Sequence, residues 1–385
     1  MPLTSLLAKT FHIQQSGSVA LHRTEGQTLY LDSFVLAEDG ERSTESRPYE
    51  PFRDSSILIR PHVLDSFFRF VYERQEVFYK RFIEQRPGPW TTDPILRNYK
   101  FTNVYRELDR GTLYVLDEII GKGSNRDVVF NILVYRIFNK IETHRALGFQ
   151  RVDSFDAAQF LHTLESIKRK GSPIFTNAFI VSGARYAHSS NKEVNIVKGV
   201  IRDDLVKNFD AHYQKLIHSR TLEAAHAAIK EITHFGDFLA YEAVIDINYS
   251  GIIKFSEDEW VNAGPGCRKG IDYIFNSRGG FSYADIIRIL REDQHFHFNR
   301  LKLRFRFLGD RDLSLRNVEH SLCEFSKYHR LRTNQRMHAR RFVPSSLPLP
   351  VQNFQQFGLT GIQPDLEGRL YPLHSDGRTT IQKAA

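Results

Sequence analysis

The fold prediction starts from a stretch that joins two helical regions: Arg86-Pro-Gly-Pro-Trp90-Thr-Thr-Asp93-Pro-Ile-Leu-Arg97-Asn-Tyr-Lys100-Phe-Thr-Asn103-Val-Tyr105-Arg106-Glu107-Leu-Asp109-Arg110. Residues 87–89 read Pro-Gly-Pro and cannot continue a helix, because proline lacks the backbone N–H that a helix needs. Asp93, followed by proline, predicts that a new helix begins there with the carboxylate as its N-cap. Thr102 or Asn103 is expected to cap a further helix that runs toward Gly121. The stretch therefore predicts a helical corner.

Two interpretations of this corner remain open. In the first, Trp90, Leu96 and Phe101 are core residues, as buried aromatic side chains usually are. In the second, the corner is one wall of a binding pocket, because packing alone does not require its dense set of polar and charged side chains. That set comprises Arg86, Asp93, Asn103, Arg106 and Asp109.

The composition is that of a globular protein with a basic balance. The 385 residues include 53 Lys and Arg against 45 Asp and Glu, a formal net charge of +8, which is compatible with nucleic acid but does not require it. Only Cys267 and Cys323 are present, so a four-cysteine metal site is impossible within this sequence. Two cysteines that are most simply reduced predict an intracellular protein, nuclear if the source is eukaryotic. No apolar run reaches the roughly 18 residues of a membrane span, so no membrane contact is expected.

Composition and periodicity divide the chain into three parts. Residues 1–60 are expected to be a flexible leader, with one possible strand at 28–36 and a linker at 38–51. Residues 61–330 carry apolar side chains mostly at helical spacing and form the predicted helical domain. Residues 331–385 are basic at first and then rich in Pro, Gln and Gly, which is typical of disorder. The predicted fold class is mainly α, with a small β element and disordered tails.

The β element predicted inside the domain is residues 295–307, where apolar and charged residues alternate with a register shift near Asn299. One face of this strand would carry four cations, which makes it either a phosphate-contacting surface or a solvated edge strand. These cations are Arg300, Lys302, Arg304 and Arg306.

Several catalytic motifs are absent. Gly121-Lys122-Gly123-Ser124 lacks the glycine that a Walker loop needs five residues before its Gly-Lys pair, so a helix C-cap turn explains it better. No two histidines have the spacing of a zinc site on one helix, and no Gly-x-Ser-x-Gly elbow occurs. Cys323 is more simply a buried thiol than a nucleophile. No metal and no cofactor are expected.

The turn Gly264-Pro265-Gly266 is followed at once by Arg268 and Lys269. It is expected to join two short helical pieces and to leave backbone N–H groups free at a helix N-terminus, an arrangement that favours an anion such as a DNA phosphate. An ordinary turn is the alternative interpretation.

Two acids upstream of this turn form a second candidate. Glu242 and Asp246 lie four residues apart, on one face of a predicted helix that is otherwise crowded with apolar side chains. Apolar surroundings raise the pKa of a carboxyl group, which could then work as a general base. A solvated acidic face is the alternative.

Three motifs resemble one known family. The first and most specific is Arg86-x-Gly88-Pro-Trp90-Thr-x-Asp93-x-Ile-Leu-x-x-Tyr99-Lys-Phe-Thr-Asn103-Val-Tyr105-Arg106-x-x-Asp109; the others are Ala263-Gly264-Pro265-Gly266 and Glu319-His-x-Leu-Cys323-Glu-Phe-x-Lys327-Tyr328. They span residues 62–330. The chain resembles the helical domain associated with 5-hydroxymethyluracil DNA kinases, in the group called alpha-glutamyl/putrescinyl thymine pyrophosphorylases. The resemblance implies a fold similar to helix-hairpin-helix DNA glycosylases, with residues 264–266 as the hairpin that grips DNA.

The resemblance also implies action on a hypermodified thymine in duplex DNA. The implied reaction replaces pyrophosphate on 5-(pyrophosphoryloxymethyl)uracil with an amine, from an amino acid or putrescine, and a separate partner kinase supplies the phosphorylated base. This chemistry needs base flipping, stacking on an aromatic ring, arginines around the pyrophosphate and a base for the incoming amine. By residue type, the expected catalytic groups are Asp109, Asp246 and Glu319; the substrate-binding groups are Arg86, Trp90, Asp93, Asn103, Tyr105, Arg106 and Arg110; and the DNA contacts are Gly264, Gly266, Arg268, Lys269, Arg300, Lys302 and Arg304.

Two other functions stay open. One is a DNA glycosylase that cleaves the base–sugar bond with Asp246. The other is a DNA-binding adaptor that kept the helical scaffold and lost catalysis. Replacing Arg106 by alanine is expected to separate them, because an enzyme would lose its product while keeping its affinity for duplex DNA.

Overall fold

The computed structural model describes residues 47–49, 54–84, 86–176, 189–309, 311–335, 337, 339–343, 360–364 and 370–373. Over these residues the chain is mainly helical, as predicted. The strand expected at 28–36 lies outside the described residues. Within the described part, no helix combines the length and the apolar character that crossing a bilayer would need.

Fourteen helices, numbered in chain order, make up most of the described chain. They are α1 Pro61–Phe78, α2 Pro94–Asn98, α3 Arg110–Glu118, α4 Asn125–Phe138, α5 Ile141–Leu147, α6 Ala157–Arg169, α7 Lys192–Val194, α8 Phe209–Ile217, α9 Leu222–Lys230, α10 Asp237–Tyr249, α11 Pro265–Ile274, α12 Tyr283–Glu292, α13 Gln294–Arg300 and α14 Leu315–Arg332. Two of them continue as wider π-helical segments, α1 into Tyr79–Ile83 and α7 into Asn195–Val206.

A three-stranded antiparallel sheet joins the start of the described chain to the helices. β1 Arg47–Tyr49 pairs with β2 Asp54–Ile59, and β2 pairs with β3 Phe275–Arg278, which directly follows α11. A separate hairpin is formed by β4 Thr360–Pro364 and β5 Leu370–Leu373. Because β1 and β2 precede residue 61, the folded domain includes part of the segment expected to be a flexible leader.

Helices α4 and α10 form the centre of the core and pack against each other. Most residues of both helices are buried, which is what a helix with apolar side chains on all sides requires. A polar side chain on either helix is consequently held inside the protein, and three charged ones prove to be.

Local capping chemistry was predicted correctly at some helix starts and wrongly at others. The Asp93 carboxylate caps α2 by accepting from the N–H groups of Ile95 and Leu96, at 2.7 and 3.0 Å. The Asp156 carboxylate caps α6 in the same way. The cap expected at Thr102 or Asn103 is wrong. There the chain makes a short 3₁₀ turn, Arg106–Leu108, before α3 begins.

The strand predicted for residues 295–307 is wrong. Residues Gln294, His297 and Phe298 are buried while Phe296 is 47% exposed, a spacing of three and four residues that belongs to a helix. The segment therefore starts as α13, and Lys302 follows with a left-handed backbone, φ 55°. The predicted row of cations on one strand face does not exist.

Helices α11 and α14 approach each other closely because glycines line their contact. A Cβ built on Gly270 would lie 2.3 Å from the backbone oxygen of Leu322, and one on Gly266 would lie 2.4 Å from the Cys323 sulfur. Such distances are far below van der Waals contact, so only glycine fits. The segment expected to be helical before the turn, from residue 258, is instead irregular up to Gly264.

A buried hydrogen-bond network fastens β1 to α13. The Tyr49 hydroxyl donates to Asp293 at 2.8 Å and lies 2.6 Å from Nε2 of His297. Nδ1 of His297 accepts from Arg300 at 2.9 Å, so Nε2 carries the ring proton and donates to Tyr49. The ring stacks on Phe68 at 4.4 Å. Nδ1 can accept the hydrogen bond from Arg300 only when it carries no proton, so the His297 ring is neutral in this arrangement.

We expect acid to remove the stability that His297 contributes. Burial and the nearby Arg300 lower the pKa of His297 to about 3, so below its ordinary value the unfolded chain binds a proton that the folded chain does not. The free energy of unfolding of the wild type should fall relative to that of His297→Gln by about 1.4 kcal/mol per pH unit below pH ~6.5, the stabilisation being complete above that pH.

Urea unfolding at about pH 7.5, 6 and 5 measures the difference in free energy of unfolding between the wild type and His297→Gln, which should shrink as the pH falls. The matched control is His218→Gln, which removes an exposed histidine at the end of α8. A difference between wild type and His297→Gln that stays constant over this range would contradict the assignment of a neutral, buried ring.

Candidate functional site

The helical corner, α4, α10 and α14 bring together seven buried ionic side chains, called here the ionic cluster. None of the seven residues is more than 7% exposed. Charged groups rarely leave water unless they are paired, so a cluster of this size marks an organised site. Its members are Arg106, Asp109, Arg136, Glu242, Asp246, Arg316 and Glu319.

Asp246 lies at the deepest point of the ionic cluster and has no exposed surface. Arg136 of α4 reaches its Oδ2 atom with two nitrogens, Nε at 2.7 Å and Nη2 at 2.6 Å. Arg106 lies 3.8 Å from the other oxygen. The central helices α4 and α10 are therefore joined by a two-nitrogen ion pair inside the core.

Glu242 lies one helical turn before Asp246 and contacts all three arginines. Arg106 reaches its Oε2 atom at 2.8 Å and Arg136 lies 3.7 Å away, while Arg316 of α14 pairs with Oε1. Arg316 also bonds Glu319 at 2.6 Å. Burial raises the pKa of Glu242, but the three guanidinium groups outweigh it and leave the pKa well below its usual range. Glu242 is thus an ionised anchor for the arginines.

The Glu319 side chain, which belongs to α14, contacts the N-terminus of α11. Its Oε1 atom accepts from the N–H of Gly264 at 3.3 Å. Burial raises the pKa of Glu319, opposed by Arg316. The backbone donor that was expected to meet a DNA phosphate at this turn is therefore taken by a carboxylate of the protein.

Asp109 forms the outer end of the ionic cluster, together with His320. Its Oδ2 atom lies 3.0 Å from Nε2 of His320 and 3.4 Å from Arg106, and its Oδ1 atom accepts from the N–H of Asn103 at 2.8 Å. Burial raises the pKa of Asp109, but His320 and Arg106 lower it below the usual range. The His320 side chain is 13% exposed and so reaches the surface.

The seven members of the ionic cluster carry unequal numbers of positive and negative charges. Three guanidinium groups face four carboxylates, which leaves one negative charge in excess when all four are ionised. The His320 ring lies next to Asp109 at the outer end of the cluster, and Arg74 supplies a further guanidinium near the same carboxylate.

Beside the Asp109–His320 pair, four cations converge from three segments and form what is called here the basic rim. Burial, Arg110 and Arg340 lower the pKa of Lys100, with a further contribution from Lys327. Arg110 pairs with Glu142 at 2.9 Å, and Lys327 pairs with Glu324 at 2.6 Å. In the described part of the chain no carboxylate forms an ion pair with Lys100 or Arg340. The members are Lys100, Arg110, Lys327 and Arg340.

The structure brings together several residues that the sequence proposed separately. Arg106, Asp109, Asp246 and Glu319 all belong to the ionic cluster, and Arg110 belongs to the basic rim. Their chemical roles stay predictions. Asp246 and Glu319 are at most 3% exposed and already paired, so in this conformation a substrate cannot touch them.

Other proposed substrate-binding residues hold the corner itself together. The Tyr105 ring is fully buried, and its hydroxyl donates to the backbone oxygen of Arg311 and accepts from Leu308, so it offers no free face for a base. Asp93 accepts from the Tyr328 hydroxyl at 2.6 Å in addition to capping α2. Asn103 donates to the backbone of Leu108 at 2.7 Å.

Arg86 and Trp90 lie at the surface of the corner. The Arg86 side chain is 63% exposed and bonds Glu84 at 2.5 Å. Trp90 is half-buried, donates from Nε1 to the backbone oxygen of Arg86, and has the Arg81 guanidinium 5.1 Å from its ring centre. Of the two rings proposed for stacking, Trp90 is the accessible one.

The residues proposed to contact DNA do not form one surface by themselves. Arg268 donates to the backbone oxygen of Ala263, Lys269 is exposed, and Gly266 faces α14. Arg300 pairs with Asp65 at 2.6 Å, whereas Arg304 and Lys302 are exposed. Arg306, on the predicted strand face, instead pairs with Glu76 and Glu84. Contact with DNA stays a prediction for the exposed cations among them.

Sequence reasoning missed Arg136, Arg316 and His320 as members of the site. Arg136 carries a signal that could have found it, because an arginine whose neighbours on every side of the helix are apolar must have a buried partner. His320 lies inside the quoted Glu319-His-x-Leu-Cys323 motif. Nothing in the sequence pairs it with Asp109, which is more than two hundred residues earlier.

The fold and the site define a helical domain with a buried ionic centre that opens beside a basic rim. Residues 61–338 match the family described as "5-hmdU DNA kinase, helical domain". The chain belongs to this family.

One curated relative is the "5-hmdU DNA kinase" of Bacillus phage SP10, which is 31% identical over 291 residues. That alignment covers 69% of this chain and 44% of the relative, so the chain spans less than half the length of the curated relative it matches. No solved structure matches the chain significantly.

Proposed function

We propose that this domain acts on modified thymine in DNA, and that it replaces the pyrophosphate of a 5-(pyrophosphoryloxymethyl)uracil base with an amine. Family membership supports the modified base as the substrate class. The relative's name supports a kinase as the source of a phosphorylated base. The amine donor would be a free amino acid or a polyamine. A fold like that of the helix-hairpin-helix DNA glycosylases, and base flipping, are parts of the same proposal.

The observation that carries the proposal is the position of the Asp109–His320 pair at the edge of the basic rim. A pyrophosphate leaving group needs cations close to its oxygens, and four basic side chains meet there. An amine nucleophile needs a base, and His320 is a titratable ring at the surface with a carboxylate behind it. Both requirements are met within one small region.

In the proposed step, the amine nitrogen forms a bond to the methylene carbon on C5 of the base while the carbon–oxygen bond to pyrophosphate breaks. The bonding electrons leave with the pyrophosphate, which the basic rim stabilises. The proton lost by the amine goes to Nδ1 of His320, the ring nitrogen that does not face Asp109, and the Asp109 carboxylate beside Nε2 faces the resulting imidazolium. Asp109 orients the ring, and Trp90 is the accessible ring on which the base would stack.

A DNA-binding adaptor without catalysis is the second candidate. The burial and mutual pairing of Asp246 and Glu319 favour it, because neither carboxylate is available to a substrate in this conformation. The same burial argues against a glycosylase that uses Asp246. The two remaining candidates differ in whether His320 is needed for any product.

We expect His320→Gln to lower the rate of amine incorporation by about a hundredfold or more, the range in which general bases usually contribute. Glutamine keeps a polar group beside Asp109 but cannot take up a proton. The assay uses the full chain and duplex oligonucleotides that contain thymine, 5-hydroxymethyluracil or its pyrophosphate, with an amino acid or putrescine, followed by nucleoside mass spectrometry. His162→Gln, at an exposed histidine of α6, is the control and should leave the rate unchanged.

The products distinguish the candidates. An added amine mass that requires His320 supports the transferase, and release of the free base would identify a glycosylase instead. An unchanged nucleoside profile on all three substrates with the wild type would favour the adaptor. A wild-type rate in a folded His320→Gln protein would remove His320 from the proposed step.

A further inference from the structure

A short segment beyond α14 lies against the helical corner. Residues 340–342 run antiparallel to residues 98–100, with Tyr99 and Arg341 as bridge partners. The N–H of Lys100 donates to Arg340 and the N–H of Phe342 donates to Asn98, both at 2.9 Å. This segment, Arg340–Phe342, is called the strap. It lies outside residues 61–338, the part that matches the family.

The strap adds charge and rings to the corner. Arg340 lies near Lys100 and contributes to the basic rim. On the strap, Arg341 lies with its guanidinium 4.6 Å from the centre of the Tyr99 ring. Phe342 meets Trp90 edge-on, with ring centres 6.2 Å apart. A surface of alternating cations and aromatic rings therefore runs from Trp90 along the strap to the basic rim.

The Arg81 guanidinium joins the rings at the far end of this surface. It lies 4.6 Å from the centre of the Phe82 ring, 5.1 Å from Trp90 and 5.2 Å from Phe342. Cation–π contacts of this kind hold both the cation and the rings in place. The strap is thus ordered by backbone pairing at one end and by a ring cluster at the other.

The cations of the strap have no anionic partner among the described residues. Arg340 and Arg341 are both exposed, and within the described ranges neither forms an ion pair with a carboxylate. Lys100, which lies beside them, is in the same situation. Three adjacent cations repel one another and stay close because the backbone holds them, so binding a polyanion would stabilise the arrangement.

We propose that the strap is a DNA-backbone clamp, which holds the phosphates of the strand whose modified base enters the region of Asp109 and His320. This inference rests on the proposed function for the identity of the polyanion. Guanidinium groups suit phosphate oxygens, and aromatic rings beside them suit exposed bases, a combination that an acidic protein partner would not need. The clamp is an element of this chain outside the matched family domain.

The test measures duplex binding by the full chain with Arg340→Ala and Arg341→Ala combined. Each lost phosphate contact removes about 0.9 from the slope of log K against log salt, so the double variant should bind about 30-fold more weakly near 0.15 M salt, with a slope smaller by about 1.8. Arg340→Lys with Arg341→Lys keeps both charges and should keep most of the slope. Thermal unfolding of each variant verifies that it is folded.

The control replaces Arg169 and Lys170 by alanine, two exposed cations at the end of α6, a helix that packs on α5 and the segment after α7. Equal losses of affinity in the strap and control variants, or an unchanged salt slope, would overturn the clamp. Competition by polyglutamate as effective as that by DNA of equal charge would point to an acidic protein partner and also overturn it.

This outcome is separable from that of the proposed function. Binding is measured on unmodified duplex, which needs no product. If the strap variant binds duplex more weakly and the wild type makes no product, the clamp is supported and the transferase proposal is contradicted. If the wild type makes product and the strap variant binds as well as the wild type, the transferase is supported and the clamp is contradicted.

Discussion

Replacing Arg136 by methionine is expected to lower the free energy of unfolding by about 3–5 kcal/mol, the usual cost of leaving a buried charge without its partner. Asp246 has no exposed surface and depends on Arg136 for both of its shortest contacts, at 2.6 and 2.7 Å. Methionine fills similar space but supplies no charge. Urea unfolding followed by circular dichroism measures the change.

Arg145→Met is the matched control for this prediction. Arg145 pairs with Glu118 at the surface, where its side chain is 53% exposed, so its loss should cost less than about 1 kcal/mol. The combined change Arg136→Met with Asp246→Leu should recover part of the lost stability, since it removes both charges. If Arg136→Met costs no more than the control, the ion pair with Asp246 contributes little to folding.

The ionic cluster changes the value of Arg106→Ala as a test of function. Sequence reasoning expected this variant to lose product and to keep DNA affinity. Arg106 is 4% exposed and bonded to Glu242 and Asp109, so its removal is expected to weaken the fold as well. His320 is the better probe, because it lies at the edge of the cluster and contacts one member of it.

Replacing Gly270 by alanine is expected to destabilise the protein by about 3 kcal/mol, at the upper end of what overpacking usually costs. The new Cβ atom would lie 2.3 Å from the backbone oxygen of Leu322 and 3.0 Å from its carbonyl carbon. Both contacts are with backbone, which no rotamer change can relieve, so α11 and α14 would have to separate. The better helix propensity of alanine offsets only about 1 kcal/mol.

Gly236→Ala is the comparison for Gly270→Ala. Gly236 precedes α10 with a φ of −72°, and its Cβ atom would meet no atom within 4 Å. We expect a loss of no more than about 1 kcal/mol there, from the weaker N-cap. Thermal and urea unfolding compare the two. A stability gain in Gly270→Ala, as in a solvent-exposed helix, would show that α11 and α14 do not pack at this distance.

Apolar periodicity predicted the mainly helical domain well, because helix burial and capping are local. The side chains of Thr221, Ser282 and Ser314 accept from backbone N–H groups at the starts of α9, α12 and α14. The segment 295–307 failed because its alternation of aromatic and basic residues fits a strand as well as a short helix followed by extended chain. In the folded chain Phe305 stacks on Phe298 at 4.3 Å, a contact that the alternating pattern does not predict.

The candidate site shows the same division between local and long-range information. Family motifs and residue types indicated Arg106, Asp109, Asp246 and Glu319, and they supplied the corner around which the site forms. Burial decides which of these groups can reach a substrate. The four-residue spacing of Glu242 and Asp246 predicted only that the two acids share one face of α10. The strap and its Arg340 lie in a region that composition placed in a tail.

The order of residues along the chain was enough to establish a mainly helical domain, its family and the corner at Arg86–Arg110, because capping, proline chemistry and apolar periodicity act over a few residues. The pairing of Arg136 with Asp246, of Asp109 with His320, and of the strap with residues 98–100 required the folded chain. Those contacts join segments about one hundred to more than two hundred residues apart, and only packing brings such segments within hydrogen-bonding distance.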